Sequence, residues 1–199
     1  MKYVSVILLG YLLGSLSASI NLSRRVYGGD VRLRGSGNAG ATNMARVYGL
    51  RAGLVTLAFD MVKTAAAMGL GWLILGDRGM ALAGAACITG HCWPVYHGFS
   101  GGKGVSAGAA VALVLDWRVF AAVIAVFLLT ALLSKKVSLG SLCGAVTISV
   151  CALLLGLSLP RILLCVYGTV IVILRHRDNI RRLIAGEEKN FSPGKRAQR

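Results

Sequence analysis

Long apolar runs, separated by short polar or basic segments, repeat along the whole chain. A helix needs roughly 20 residues to cross a hydrocarbon core of about 30 Å, and fewer where it packs against protein neighbours. The runs therefore predict an all-α, polytopic membrane protein in which residues 1–199 form a single integral-membrane domain. Seven transmembrane helices are expected, some of them short, near residues 3–22, 52–75, 79–97, 105–115, 117–133, 139–159 and 161–174.

The composition agrees with a location in the bilayer. Hydrophobic residues make up 56% of the chain and charged residues 15%, whereas soluble domains average about 45–50% and about 25%. The first run resembles a signal peptide, but no separate small-residue cleavage site precedes the basic pair Arg24 and Arg25. We therefore expect this run to be retained as the first span.

The positions of the cations predict the direction of the spans. Lys and Arg accumulate in short loops on the cytoplasmic side of membranes. If the N-terminus is outside and the C-terminus is cytoplasmic, seven spans leave only four cations on the outer side, which are Lys2, Arg78, Arg118 and Arg161. The end of the chain, residues 190–199, is expected to be a flexible basic tail that contacts anionic lipid.

The net charge points to anionic partners. The chain carries 22 Lys and Arg against 7 Asp and Glu, a net charge of +15, which favours nucleic acid, anionic lipid or phosphorylated small molecules. Nucleic acid is disfavoured, because only 7% of the residues are aromatic and none of the basic segments interleaves them as a stacking platform. The five cysteines show neither CxxC pairs nor zinc-ligand spacing, so no metal is expected.

Three polar clusters fall on the predicted cytoplasmic side, and the first covers residues 35–46. Its glycines can expose backbone N–H groups to an anion, its neutral side chains add donors, and a cation lies close to a helix start. This pattern predicts a phosphate-binding loop; the alternative is an ordinary turn. The candidate residues are Gly35, Ser36, Gly37, Asn38, Gly40, Thr42, Asn43 and Arg46.

The second cluster leads into the fourth span and consists of Gly101, Gly102, Lys103 and Gly104. Amides exposed by glycine beside a lysine suit a phosphate group. The GxxxxGK[ST] spacing of a Walker A loop is absent, so ATP hydrolysis is not indicated. The alternative interpretation is a flexible basic turn at the level of the lipid headgroups.

The third cluster follows the last span. His176 and Asn179 are three residues apart and share one face of a continuing helix. A histidine beside Arg175 is expected to stay neutral, and it can then accept a proton from a hydroxyl group. The alternative is an amphipathic helix on the lipid surface, which explains the arginines but not the alignment of histidine with asparagine.

Two smaller features complete the set of candidates. Asp60 and Lys63 lie inside the second span at i and i+3, where they can neutralise each other. In the alternative interpretation, Lys63 extends to the cytoplasmic interface. Ser138 and Ser141 follow two lysines at a helix start, where a serine is usually an N-cap.

Six segments in this order resemble the bacterial acyl-phosphate:glycerol-3-phosphate acyltransferase family, whose members are integral-membrane enzymes. The resemblance spans nearly the whole chain, with the segments GYLLGS (10–15), GSGNAGATNMAR (35–46), DMVK (60–63), GHCWPVYHGFSGGKGV (90–105), VSLGS (137–141) and HRDNIRRL (176–183). The chain departs from the family pattern at Ser17, Thr64, Ser100 and Glu187. Because Ser100 replaces a frequent basic residue, this departure could weaken phosphate binding.

The resemblance implies transfer of a fatty acyl group from acyl phosphate to the 1-hydroxyl of glycerol 3-phosphate. The products are lysophosphatidic acid and phosphate, in the first step of bacterial phospholipid synthesis. The implied location is the bacterial cytoplasmic (inner) membrane, with the active site on the cytoplasmic side. The implied partners are membrane lipid and the enzyme that supplies acyl phosphate, and no cofactor is required.

The resemblance also implies roles for the candidate residues. Ser36, Arg46, His176 and Asn179 are expected to be catalytic, with the last two orienting or deprotonating the glycerol hydroxyl. Glu188 is expected to be structural and to pair with an arginine. The expected substrate-binding residues are Gly37, Asn38, Gly40, Thr42, Asn43, Lys63, Gly101, Gly102, Lys103, Gly104 and Ser141.

Other functions compete with this interpretation. Acyl-CoA-dependent glycerolipid acyltransferases use a histidine with an aspartate five positions on, and none of the three histidines has one. A small-anion transporter also uses glycines and cations, but it is expected to place polar groups at mid-membrane, often in two related halves. A lipid-binding structural protein would need only the basic tail. Polar clusters at one surface favour the acyltransferase.

Overall fold

The computed structural model describes residues 1–192, so the rest of the predicted basic tail, residues 193–199, lies outside the described residues. The described residues form nine α-helices and two short 3-10 turns without any strand, which confirms the all-α class. The helices are α1 (Lys2–Ser15), α2 (Ala18–Val26), α3 (Ala41–Tyr48), α4 (Leu50–Cys92), α5 (Val105–Leu115), α6 (Trp117–Ser134), α7 (Val137–Leu154), α8 (Leu159–Arg175) and α9 (Arg177–Ile184).

Several helical stretches have the length and composition of membrane spans. Four qualify within the described chain, namely Lys2–Val26, Leu50–His97, Trp117–Ser134 and Val137–Leu154. A fifth is added if α8 and α9, which are bent by 61°, form one span. Helix α5 is apolar but short, and its rise is only about 17 Å at 1.5 Å per residue. It therefore depends on packing against its neighbours, as the sequence predicts.

Helix α4 consists of two arms. Leu75 and Gly76 have non-helical backbone angles, and Gly76 has a φ of 59°, which glycine adopts without strain. The arms run antiparallel, because Gly71 before the break lies against Gly79 after it. The break falls between the predicted spans 52–75 and 79–97, so the gap between these two apolar runs marks a reversal of the chain.

Small residues allow α1 to pack closely against the second arm of α4. A Cβ atom on Gly10 would lie 2.7 Å from the carbonyl oxygen of Ala83, which is too close, and Gly14 approaches the backbone of Cys87 more closely still. Close packing through small residues is typical of membrane helices, because lipid tails provide no hydrophobic driving force between them. This contact holds α1 against the second arm of α4.

Buried apolar side chains from α4 to α8 form the main core, which includes Met68, Val111, Val119, Ile148 and Leu164. Many large apolar side chains face outward instead, such as Leu133, which is 78% exposed, and Leu154, which is 80% exposed. Such a surface would be costly in water and is stable in lipid. The outer surface therefore agrees with a protein surrounded by a bilayer.

Candidate active site

The three polar clusters meet at one end of the helix bundle. Arg32, in the loop between α2 and α3, donates to the carbonyl oxygens of His97, at 2.7 Å, and Ser100, at 3.1 Å. Arg175, at the end of α8, donates to the carbonyl oxygen of Gly102 at 3.1 Å. These bonds join the first loop, the glycine-rich second loop and the α8–α9 junction.

The side-chain amide of Asn43 organises the first loop. Its Oδ1 accepts a hydrogen bond from the backbone N–H of Ser36 at 2.8 Å. Its Nδ2 lies 3.0 Å from the carbonyl oxygens of Val31, Arg34 and Asn38. The sequence predicts substrate binding by Asn43, whereas these contacts occupy both ends of its amide inside the loop. Asn43 therefore holds the backbone that presents Ser36 and Asn38.

The other residues of the first cluster surround open space. Gly35 and Gly37 have φ values of 62° and 72°, which is the left-handed geometry expected of an anion-binding glycine loop. Gly37 lines a smaller cavity at this end of the bundle. A larger adjoining cavity is lined by Gly35, Ser36, Asn38, Gly40, Thr42, Asn43 and Arg46.

Gly101 and Gly102 use their amides differently from the expectation. Their N–H groups donate to the carbonyl oxygens of Cys92, at 3.2 Å, and His91, at 3.0 Å, so these two amides are engaged in backbone hydrogen bonds. A Cβ atom on Gly102 would overlap the imidazole ring of His91. The physical reason for glycine here is close packing of the loop against α4. In this cluster the side chain of Lys103 lines both cavities.

A chain of hydrogen bonds connects the second and third clusters. Lys103 Nζ donates to Asn179 Oδ1 at 2.5 Å, and Asn179 Nδ2 donates to Glu188 Oε1 at 2.6 Å. Glu188 also accepts hydrogen bonds from Ser138 Oγ at 2.6 Å and from Arg182 Nε at 2.7 Å. The network orients the amide of Asn179, with its oxygen toward a cation and its nitrogen toward a carboxylate.

The contacts of this network determine its charges. Burial opposes the ionisation of Glu188, but the hydrogen bonds that its carboxylate accepts outweigh burial and lower its pKa. Burial lowers the pKa of Lys103 to about 8; the nearby arginines act in the same direction and Glu188 opposes them. Glu188 is therefore an anion at neutral pH, and Lys103 is a cation that loses its proton slightly above neutral pH.

The third cluster contains a buried histidine with a defined tautomer. His176 is 3% exposed and lines the larger cavity. Its Nδ1 lies 2.8 Å from the carbonyl oxygen of Val172. Because a carbonyl oxygen only accepts, Nδ1 carries the proton and Nε2 is left as an acceptor in the neutral ring. Burial lowers the pKa of His176 to about 4, so the ring is neutral at physiological pH.

Lys63 does not line either cavity. Its Nζ donates to the carbonyl oxygen of Leu16 at 2.7 Å, pairs with Asp60 Oδ1 at 2.8 Å and lies 3.3 Å from His91 Nδ1. The predicted pair with Asp60 is present, but the prediction that Lys63 binds substrate is at odds with these contacts. Oxygen acceptors inside the bundle retain its ammonium group there and prevent it from extending to the interface.

The two cavities differ in character and share one wall. The larger has a volume of about 700 Å³, and below its polar mouth apolar side chains such as Val111, Phe127 and Leu164 line it. The smaller has a volume of about 570 Å³ and polar or basic walls. The residues that line both cavities are Ser36, Asn38, Lys103, Asn179 and Arg182. A ligand in either cavity can therefore contact the same polar groups.

Several residues whose roles the sequence does not predict also reach this site. Ser138 and Arg182 hold Glu188, and Arg175 fixes the glycine loop, with its guanidinium 5.3 Å from the ring centre of Trp93. One signal in the sequence was available. Gly186, with a φ of 72°, ends α9 and turns the chain back, so that the N–H of Glu188 donates to the carbonyl oxygen of Arg182.

The chain is similar to known proteins over nearly its whole length. A profile of the family described as glycerol-3-phosphate acyltransferase matches residues 4–186. A glycerol-3-phosphate acyltransferase of Finegoldia magna is 38% identical, over 96% of this chain and 98% of its own. One of Rubrobacter xylanophilus is 40% identical, over 96% of both chains.

Two solved structures resemble the fold closely. Both are of PlsY (YgiH), an integral membrane glycerol 3-phosphate acyltransferase, and each is covered over 96% of both chains. The glycerol 3-phosphate form has a TM-score of 0.91 at 29% identity, and the lysophosphatidic acid form has a TM-score of 0.88 at 28% identity. With its helical bundle, its apolar surface and its polar site at one end, the chain belongs to the glycerol-3-phosphate acyltransferase family of integral membrane enzymes.

Proposed function

We propose that the donor is a fatty acyl phosphate and that the acyl group goes to the 1-hydroxyl of glycerol 3-phosphate, giving lysophosphatidic acid and phosphate. The observation that carries this proposal is the pair of cavities with a common wall. An apolar cavity suits an acyl chain, and a polar, basic cavity suits a water-soluble phosphate ester. The two reactants would meet at the residues that line both.

A phosphate leaving group determines what the site must supply. The reaction needs positioning of two anions, neutralisation of their charge and stabilisation of the tetrahedral oxyanion. Arg46, Lys103 and Arg182 line the larger cavity and can neutralise the phosphates. The glycine loop presents Ser36 and Asn38 as neutral donors for the acyl phosphate or for the oxyanion.

The geometry supports His176 as the base. The 1-hydroxyl oxygen forms a bond to the acyl carbon while its proton passes to Nε2, and the bond from the acyl carbon to the phosphate oxygen then breaks. Returning the proton from Nε2 to the released phosphate restores the neutral ring. Asn179 positions Lys103 in this scheme, because it accepts the hydrogen bond from the lysine. The substrate's own phosphate is the alternative base.

The remaining predicted residues fit supporting functions. Asn43 holds the first loop in place, and Gly101 and Gly102 hold the second. Lys63 pairs with Asp60 and donates to Leu16, so it stabilises the inside of the bundle. Glu188 is structural, because it ties Ser138 on α7 to α9. Gly37, Gly40, Thr42 and Ser141 line the cavities and border the substrates. Gly104 lines neither cavity; with a φ of 85° it turns the second loop into α5.

We also propose seven crossings, with the N-terminus outside and the site at the cytoplasmic face of the bacterial cytoplasmic membrane. The reversal within α4 supports the count, since it divides the helix into two antiparallel arms that can each cross the membrane. The distribution of cations supports the direction, because most of them lie at the end that holds the site. The opposite end carries the ion pair between Asp77 and Arg161, at 2.7 Å.

The donor is tested with purified protein in detergent, labelled glycerol 3-phosphate, and either palmitoyl phosphate or palmitoyl-CoA. We expect lysophosphatidic acid from palmitoyl phosphate and none above background from palmitoyl-CoA. The matched control is Lys103→Ala, which should lower product formation with the fold retained, as judged by a monodisperse elution profile. Equal rates with palmitoyl-CoA would contradict the choice of donor, and absence of product with either donor would contradict acyl transfer.

A further inference from the structure

The apolar part of the larger cavity has a defined end. From its polar mouth the cavity runs between α5, α6, α7 and α8. The lining residues that lie furthest along these helices from the mouth are Val123 on α6, Ile148 on α7 and Leu164 on α8. These three side chains are buried, with exposed fractions of 8%, 6% and 2%. We call these three residues the floor of the cavity.

The depth of the floor matches one leaflet of the bilayer. Leu164 precedes His176 by twelve residues along α8, which corresponds to about 18 Å at 1.5 Å per residue. Ile148 follows Val137, at the start of α7, by eleven residues, which corresponds to about 16 Å. Half of the hydrocarbon thickness of a bilayer is roughly 15 Å. The cavity therefore reaches about as deep as the acyl chains of one leaflet of the bilayer.

Beyond the floor the protein is packed. Val119 lies one turn beyond Val123 and Ala152 lies one turn beyond Ile148; both are 0% exposed and neither lines the cavity. Leu164 is held from behind by α4, because a Cβ atom on Gly84 would lie 3.0 Å from Leu164 Cδ2. An acyl chain that reaches the floor cannot continue without displacing core side chains, which close-packed interiors resist.

We propose that Val123, Ile148 and Leu164 determine the longest acyl chain that the enzyme transfers efficiently. The cavity buries each additional methylene until the terminal methyl group reaches the floor, and a longer chain gains nothing or must bend. This inference rests on the proposed function, since it concerns the acyl group of that reaction. It adds a length limit and the residues that set it.

The test measures kcat/KM for a series of straight-chain acyl phosphates with even numbers of carbons, from eight to eighteen. For the wild type we expect a rise of up to about fourfold per methylene, which corresponds to about 0.8 kcal/mol of burial, and then a plateau or a fall at the limit. Longer donors also partition more strongly into micelles, so each variant is compared with the wild type at the same chain length, where this contribution cancels.

Three variants separate the floor from general packing. The double variant Val123→Ala with Leu164→Ala enlarges the end of the cavity and should move the limit at least two carbons longer. Val119→Ala removes the same two methyl groups as Val123→Ala, one turn beyond the floor, and should leave the limit unchanged. Gly144→Val lies about 10 Å below the mouth. Gly144 lines the cavity, and a Cβ atom there would be in van der Waals contact with Val123 on α6, at 3.6 Å, so the valine side chain should narrow the cavity between α6 and α7 and shift the limit to shorter chains.

The outcomes distinguish this inference from the donor proposal. If the wild type is active with acyl phosphates and the floor variant shows the same limit as Val119→Ala, the floor does not determine chain length. Should the floor variant fail to fold, the direction of the shift in Gly144→Val decides the question, and an unchanged limit there overturns the inference. If acyl phosphates give no product with wild-type protein at any length, the donor proposal itself fails.

Discussion

Two clusters in this protein combine a histidine, a lysine and a carboxylate, and they are put to different uses. In the inner cluster, Asp60, Lys63 and His91 lie within 3.5 Å of one another, and the lysine also donates to a backbone carbonyl. In the outer cluster, Lys103 and Glu188 contact the two ends of one asparagine amide, and His176 keeps Nε2 as an acceptor beside a cavity.

The difference lies in where the hydrogen-bonding capacity is used. The three side chains of the inner cluster contact each other, and Lys63 also donates to the backbone between α1 and α2. Asp60 Oδ2 has no hydrogen-bond partner among residues 1–192. The outer cluster borders both cavities through Lys103 and Asn179, so its groups can reach a ligand. Of the inner cluster only His91 lines the larger cavity, and its Nδ1 faces Lys63 and Asp60 instead. An ionisable group inside a span is thus not sufficient to identify a site, and several polar groups around a common cavity wall are the better criterion.

The largest expected effect comes from removing the outer histidine. His176→Ala takes away the proposed base and should lower kcat by about 10²–10⁴-fold, the usual contribution of general acid–base catalysis. KM for glycerol 3-phosphate should change much less, because the cations that bind its phosphate remain. The measurement is a steady-state assay with palmitoyl phosphate on protein that elutes as a monodisperse peak.

A matched control for this variant is His97→Ala, since His97 belongs to the second loop but lines neither cavity. We expect turnover close to that of the wild type. If His176→Ala also retained wild-type turnover, the substrate phosphate would be the base and the outer histidine would have no part in proton transfer.

The inner cluster should affect stability rather than chemistry. Lys63→Met leaves the carboxylate of Asp60 buried without its cation, and breaking a buried pair from one side typically costs about 3–5 kcal/mol. The double variant Lys63→Met with Asp60→Asn removes both charges and should be less destabilised than the single variant. Thermal unfolding in detergent measures the difference, with kcat at a permissive temperature as the second readout.

The outcome would contradict this assignment in either of two ways. A single variant as stable as the wild type would mean that the pair is not needed for the fold. A loss of kcat in the stable double variant, with no loss of stability, would mean that the inner cluster acts in the reaction after all.

The inner cluster also illustrates what sequence reasoning can and cannot provide. The spacing of Asp60 and Lys63 predicts their ion pair, because i and i+3 are neighbours on a helix. The lengths of the apolar runs similarly predict the all-α class, the two separate segments that form the arms of α4, and the short α5. Nothing local in the sequence indicates that Leu16 and His91 complete the inner cluster, because those contacts depend on how α1 packs against α4.

The outer cluster divides in the same way. Glycine content and proximity to cations identify the three loops, and their convergence is confirmed by the contacts of Arg32 and Arg175. The use of each amide could not be predicted, because it depends on tertiary neighbours. The amides of Gly101 and Gly102 are directed at the end of α4, and Asn43 serves its own loop.

The smallest expected effect is a pH dependence that belongs to Lys103. Burial lowers the pKa of Lys103 to about 8, with Arg46, Arg175 and Arg182 acting in the same direction and Glu188 opposing. A cation with a lowered pKa is charged below that value and loses its charge as the pH rises, so binding of the phosphates should weaken above about pH 8. At one pH unit above the pKa roughly a tenth of the lysine remains charged, and kcat/KM should fall about tenfold.

Lys103→Arg gives the matched comparison, because a guanidinium stays protonated throughout this range. We expect the alkaline fall to disappear in this variant even if its activity at neutral pH is reduced by the altered geometry. The acidic side should differ, since burial lowers the pKa of His176 to about 4 and the ring stays unprotonated down to that pH. If the fall above pH 8 persisted unchanged in Lys103→Arg, another group would be titrating, and the outer lysine would not be the cation that holds the substrates.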